Sequence, residues 1–178
     1  MKKRYVWILL CALLLTACAA RDSGAEAPGT SSGEGAVSIR EEKNPLAELY
    51  RQVLEDLWTV DPGLNSEIAI IGVDLSATSL TEEEQTLLAE EFAAAHGMEL
   101  VRGTWEELCE AGYIDRETLS WADGCHFSIT EKEGSSTLTF DARKWRSGLG
   151  AYFFCDCTSV QTSGGHWDGY TIGGEAIS

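Results

Sequence analysis

The residues whose types could do chemistry are few: four cysteines and three histidines after residue 38, and one basic run in an acidic chain. Cys155 and Cys157 lie two apart on a predicted strand and so share a face with Phe153, while Cys125 follows the alternation of Phe127 and Ile129. These side chains are expected to point inward. Together with Cys109 they admit three readings: buried free thiols acting as small hydrophobes, one disulfide joining Cys125 to Cys155 or Cys157, or a thiol or metal sensor. Cys-x-Cys on a strand lacks the Cys-x-x-Cys spacing of zinc knuckles and thioredoxin-like sites. His96 falls in the last turn of a predicted helix, where a cation suits the helix dipole. His126 follows Cys125 directly and so faces the other side of its strand, and His166 belongs to a Gly-Gly-His turn. This spacing assembles no Ser-His-Asp or Cys-His arrangement, no His-Glu-x-x-His and no glycine-rich phosphate loop. No catalytic residue, metal ligand or cofactor is therefore assigned. Carboxylates are plentiful, but Glu82-Glu83-Glu84 and Glu106-Glu107 are explained by helix starts. Neither Trp121-Ala122-Asp123-Gly124 nor Trp167-Asp168-Gly169 supplies the alternating carboxylates of a calcium loop.

The run Arg143-Lys144-Trp145-Arg146-Ser147-Gly148-Leu149-Gly150 places three of the nine basic residues after residue 38 within four positions. It is expected to join two strands. A loop of that composition can present a guanidinium and backbone N–H groups to an anion or to a partner's carboxylate. Arg143, Lys144, Trp145, Arg146, Ser147 and Gly148 are thus the candidate binding residues. The competing reading packs Trp145 on the core edge and pairs the arginines with nearby acids.

The elements that must position these residues change character along the chain. Asn44 as N-cap and Pro45 at the first helical position open a helix whose Leu46, Leu49, Tyr50, Val53, Leu54, Leu57 and Trp58 form one apolar stripe; Asp61-Pro62-Gly63 stops it. Ile68 to Leu75 reads as a buried strand. Thr81 and Glu84 make a capping box for a second helix that ends at Gly97, and Thr104 with Glu107 repeats the pattern for a brief helix ending at Gly112. Met98 to Val101 reads as a short strand between them. From Asp123-Gly124 onward the period changes to two, predicting strands Cys125 to Glu131, Ser136 to Arg143, Leu149 to Gln161 and Trp167 to Ile177, with turns at Glu133-Gly134-Ser135 and Ser163-Gly164-Gly165. The expected fold is α+β: N-terminal helices packed on one face of a mainly antiparallel C-terminal sheet of about four strands, with one or two extra strands between the helices.

Lys2, Lys3 and Arg4 precede an apolar run from Tyr5 to Leu15, the layout of a secretory signal. That run is shorter than the roughly 20 residues needed to span a bilayer. Leu15-Thr16-Ala17-Cys18, followed by Ala19 and Ala20, resembles the lipobox of bacterial lipoproteins. The resemblance implies that residues 1 to 17 are a signal peptide, that Cys18 is lipidated, and that the chain is held on the extracytoplasmic face of the bacterial membrane. Residues 18 to 38, rich in Gly, Ser, Ala and Glu, read as a flexible tether with a typical span of about 25 Å, and 39 to 178 as one domain. Cleavage before Cys18 would leave 10 basic against 29 acidic residues, a formal net charge of −19. Such a charge excludes a nucleic-acid partner and favours solubility.

The basic run, with Tyr152-Phe153-Phe154 and the closing Gly173-Gly174-Glu175-Ala176-Ile177-Ser178, resembles uncharacterised extracytoplasmic domains of lipoproteins from Gram-positive bacteria, over most of residues 44 to 178. That resemblance carries no known activity. The leading expectation is a non-catalytic, lipid-anchored domain that binds an envelope protein or small ligand. The alternatives are an envelope-polymer hydrolase acting through carboxylates and a thiol or metal sensor built on Cys125, Cys155 and Cys157.

Overall fold

In a computed structural model, residues 44–132 and 137–178 are described, all within the unit Arg40–Ser178. Cys18, the signal peptide, the tether and the turn expected at Glu133-Gly134-Ser135 lie outside the described residues. The first helix, α1 (Pro45–Thr59), forms for the local reasons anticipated: Asn44 Oδ1 accepts from the Leu46 N–H at 2.9 Å, and Leu49, Tyr50, Val53, Leu54 and Leu57 are buried. Side chains of that size each contribute about 1.5–3 kcal/mol on full burial. A short 3-10 turn, Pro62–Asn65, follows. Both capping boxes are present, on α2 (Glu82–Ala95) and α3 (Trp105–Glu110). Gly97, at φ 67°, ends α2 in the left-handed region, where a side chain would be strained.

Six strands build a single sheet: β1 (Ile70–Ala77), β2 (Glu99–Arg102), β3 (Gly124–Glu131), β4 (Leu138–Ser147), β5 (Gly150–Ser159) and β6 (Gly174–Ile177), in the order β2-β1-β3-β4-β5-β6. The α+β class holds, but the sheet is mixed. β1 runs parallel to both β2 and β3, and only β3 to β6 form an antiparallel meander. The strand expected from Trp167 shrinks to Gly174–Ile177, because left-handed Gly165 and Gly169 turn the chain away and leave only isolated bridges, Gln161 to Trp167 and Thr158 to Thr171. The turn expected at Ser163-Gly164-Gly165 is present, closed by Gly165 N–H to Thr162 O at 3.0 Å.

Helix placement also departs from the one-face expectation. α1 and α2 cover one face, where Ile71, Val73, Cys125, Phe127, Ile129, Phe140, Ala142, Phe154 and Cys157 form the larger core with Tyr50, Leu54 and Phe92. α3 and the segment after it cover the other face through Leu108, Ile114 and Trp121, packed with Trp145 and Ala151. Trp121 lies directly on the backbone of the central strands: a Cβ at Gly72 would meet its ring at 2.7 Å, and one at Gly124 would come closer still. These two glycines let an indole sit flat on the sheet.

A bulge resets the phase of β5. Phe154 pairs with Ala142 and Cys157 with Phe140, so Cys155 and Asp156 together oppose Asp141, and Asp156 adopts φ 51°. The extra residue shifts the alternation. Cys157 therefore joins Phe154 in the larger core, while Phe153 packs against the opposite cluster. The sequence expectation that Cys155 and Cys157 share a face with Phe153 fails for Cys157 for this reason.

Candidate functional site

β4 carries the basic run, and its pleat divides it. Arg143 to Ser147 are strand residues, and only Gly148 and Leu149 make the turn into β5. The expected anion-receiving loop is absent for a physical reason: the residues pair with β3 and β5, and the Gly148 N–H is already donated to Leu119 O at 2.8 Å. Successive side chains go to opposite faces. Lys144 turns under α1, fully buried, and its Nζ donates to the carbonyls of Leu57, Trp58, Val60 and Asp61 at 3.2, 3.3, 2.7 and 3.1 Å. It closes the C-terminus of α1, where carbonyls lack intrahelical donors. Arg146 goes the same way, donating to Leu64, Ser66 and Ala122 carbonyls. Among the described residues neither arginine of the run forms the ion pair with an acid that the competing reading had supposed, although Trp145 does pack on the smaller core and is only 8% exposed.

Arg143 and Trp145 face the other side, where a cleft of about 420 Å³ opens between β1, the start of α3 and the β4–β5 turn. Asp74, Thr104, Trp105, Glu106, Leu119, Arg143, Trp145 and Gly148 line it. That volume is within the range of small-molecule sites. Trp105 and Trp145 meet edge to face, with centroids 5.9 Å apart, and the Arg116 guanidinium stands 5.5 Å over Trp105. Leu119, at φ 50°, is held at the rim by the bond from Gly148. A leucine in the left-handed region is uncommon.

Arg143 is half-buried, its guanidinium has no acceptor among the described residues, and its Nε is enclosed without a partner. Burial lowers its pKa, while Asp74 and Glu106 pull in the opposite direction through their charge. They are near enough to couple with it electrostatically, yet form no ion pair with it. Asp74 is oriented by Ser76, whose N–H and hydroxyl donate to Oδ1 at 3.0 and 2.6 Å. Next to this group lies His126, fully buried, with Nε2 3.1 Å from Gly103 O. A carbonyl only accepts, so Nε2 carries the hydrogen and Nδ1, which has no partner, is a bare acceptor. Desolvation lowers the His126 pKa to about 4, and Arg143 adds to the effect.

Sequence reasoning missed Asp74, Glu106, Trp105, Leu119 and His126 as neighbours of Arg143. Asp74 had left a signal, a lone charge inside the apolar run Ile68 to Leu75.

The four cysteines are free thiols. Cys157 is level with Phe140 and through it with Glu131, whereas Cys125 lies at the other end of β3. Six residues of strand separate those levels by about 20 Å, far beyond a disulfide's Cα separation. The register therefore rules out pairing Cys125 with Cys157, and Cys155, one strand position nearer, is also too distant. Burial pushes the thiols of Cys125 and Cys157 up to about 12, so neither yields a thiolate at neutral pH. Among the described residues no group of three or more His, Cys, Asp or Glu is placed to hold a metal ion, and no helix is long and apolar enough to cross a membrane. His96 stacks on Trp58 at 3.9 Å with Nε2 3.1 Å from Glu55, a packing role at the end of α2.

Comparison with protein-family models, with curated proteins and with solved structures finds no match to this chain.

Proposed function

We propose that the chain is a lipoprotein of the bacterial envelope, anchored through Cys18, whose domain binds a small ligand in the cleft beside Arg143 without transforming it. The observation that carries the reading is the half-buried Arg143 guanidinium, lining a cleft and lacking an acceptor among the described residues. The terminal N–H groups of Arg143 have no acceptor among the described residues, and a ligand oxygen in the cleft can pair with them. The chemistry of the neighbourhood supports binding over catalysis: His126 is enclosed and neutral near pH 7, and no cysteine lines the cleft. The N-terminal pattern of basic residues, apolar run and Leu15-Thr16-Ala17-Cys18 supports the anchor.

Two measurements test this. Intact mass of the membrane-fraction protein should correspond to a chain beginning at acylated Cys18, and Cys18→Ala should abolish the acylation; an unprocessed, unacylated wild type overturns the anchor. The full chain should gain thermal stability in a small-molecule extract of its own envelope, and Arg143→Gln should lose that gain. An equal gain in both proteins would discard the cleft.

A second reading is favoured by one observation, that Asp74 and Glu106 both line the cleft. Paired carboxylates across a cleft are the machinery of glycoside hydrolysis. Turnover of an envelope glycan, lost in Asp74→Asn, would replace binding with hydrolysis.

A further inference from the structure

Resting on the reading of this cleft as a binding site, we infer that its ligand is a small zwitterion, a free α-amino acid with an apolar side chain: its carboxylate meets Arg143, and its ammonium meets Asp74 and Glu106. Arg143 presents N–H groups with no acceptor among the described residues, so it suits a carboxylate or phosphate oxygen. An isolated anion would be poorly served, because Asp74 and Glu106 line the same space and would repel it. A cation alone would leave Arg143 unpaired. Only a ligand carrying both signs close together answers both walls.

Asp74 and Glu106 line the same cleft as Arg143 without forming an ion pair with it among the described residues. A ligand whose own charges are separated by two covalent bonds can bridge such a gap and replace one missing contact with two. The apolar specificity comes from the remaining wall: the edges of Trp105 and Trp145 and the side chain of Leu119, which is 45% exposed and held at the rim. The charged groups of the ligand would thus meet Arg143, Asp74 and Glu106, and its side chain would lie against Trp105 and Leu119. The interaction differs from stacking of a sugar ring, since Trp145 is almost wholly covered and Arg116 already occupies a face of Trp105.

The test is titration calorimetry on the full chain in detergent with three probes: L-leucine, L-leucinamide and N-acetyl-L-leucine. Leucine should bind one to one, and each capped analogue should bind at least tenfold more weakly. Glu106→Gln, at an exposed position, should weaken leucine binding several-fold and leave N-acetyl-leucine unchanged, with the melting temperature of the free protein as the folding control. Arg143→Gln should abolish leucine binding, with an unaltered melting temperature of the free protein as the folding control. Equal binding of leucine and N-acetyl-leucine, both lost in Arg143→Gln, overturns the zwitterion and leaves the cleft standing. Absence of heat with all three probes also overturns the zwitterion, and the extract experiment above then decides the cleft separately. Leucine binding indifferent to Arg143→Gln overturns both.

Discussion

Replacing Lys144 with methionine keeps the length and apolar body of the side chain and removes only its four hydrogen bonds. The effect can be apportioned carbonyl by carbonyl. Trp58 O also accepts from Asn65 Nδ2 at 2.7 Å, and Asp61 O from the Leu64 N–H at 3.1 Å. These two keep a donor in the variant. Leu57 O and Val60 O have no other donor among the described residues. Leaving a buried polar group unsatisfied costs about 1–3 kcal/mol, so the two together cost about 2–6 kcal/mol. Part is returned, because an ammonium no longer has to be desolvated; burial already lowers the Lys144 pKa. The expected net loss is about 3 kcal/mol, against a typical total of about 5–15, and a melting temperature lower by about 10 °C. Urea unfolding followed by tryptophan fluorescence measures it. A change below about 0.5 kcal/mol would refute the claim that Lys144 closes α1, and would mean that water or backbone adjustment satisfies those carbonyls equally well.

Three further outcomes follow from the packing. His126 has a folded pKa of about 4 against an ordinary value near 6.5, so the unfolded chain binds its proton more tightly. Stability should therefore fall as pH drops from about 6.5 to about 4, by up to about 3 kcal/mol, and level off below; urea midpoints across that range should become flatter in His126→Gln. Thiol labelling of the native chain should reach Cys109 and Cys155 and spare Cys125 and Cys157, whose pKa is pushed up to about 12, until denaturant is added; rapid native labelling of Cys125 would contradict its burial. Gly124→Ala should destabilise the domain by about 1–3 kcal/mol or more, read from the same unfolding curves, because the new methyl group collides with Trp121.

What was legible in the sequence was whatever is decided locally. Asn44, Thr81 and Thr104 announced the helix starts, because a cap and its amide lie within three residues of each other. The alternation located β3, β4 and β5, although β4 runs past the expected end at Arg143 to Ser147, and it overstated the last strand, which is only Gly174–Ile177. The basic run misled because glycines and charge read as a surface loop, while the acceptors that draw Lys144 and Arg146 inward lie far off in sequence, 83 to 87 residues earlier for Lys144 and 24 to 82 for Arg146. No spacing rule reaches that far. The bulge at Asp156 was hidden for a similar reason: it depends on Asp141 across the ladder, whose Oδ1 accepts from the Asp156 N–H at 2.7 Å. Arg143 was found, but its surroundings come from β1, β3 and α3, which only the sheet order brings together.

The position of β1 has a consequence for assembly. It lies between β2 and β3, pairing Ile70 with Glu99 on one side and with Gly124 on the other. The second pairing closes a loop of more than fifty residues, entropically costlier than the short hairpins that join β3, β4 and β5. A chain emerging from its N-terminus therefore carries β1 with one edge open until β3 has followed. The cleft, which needs Asp74 from β1 and Arg143 from β4, exists only after that late seam has closed.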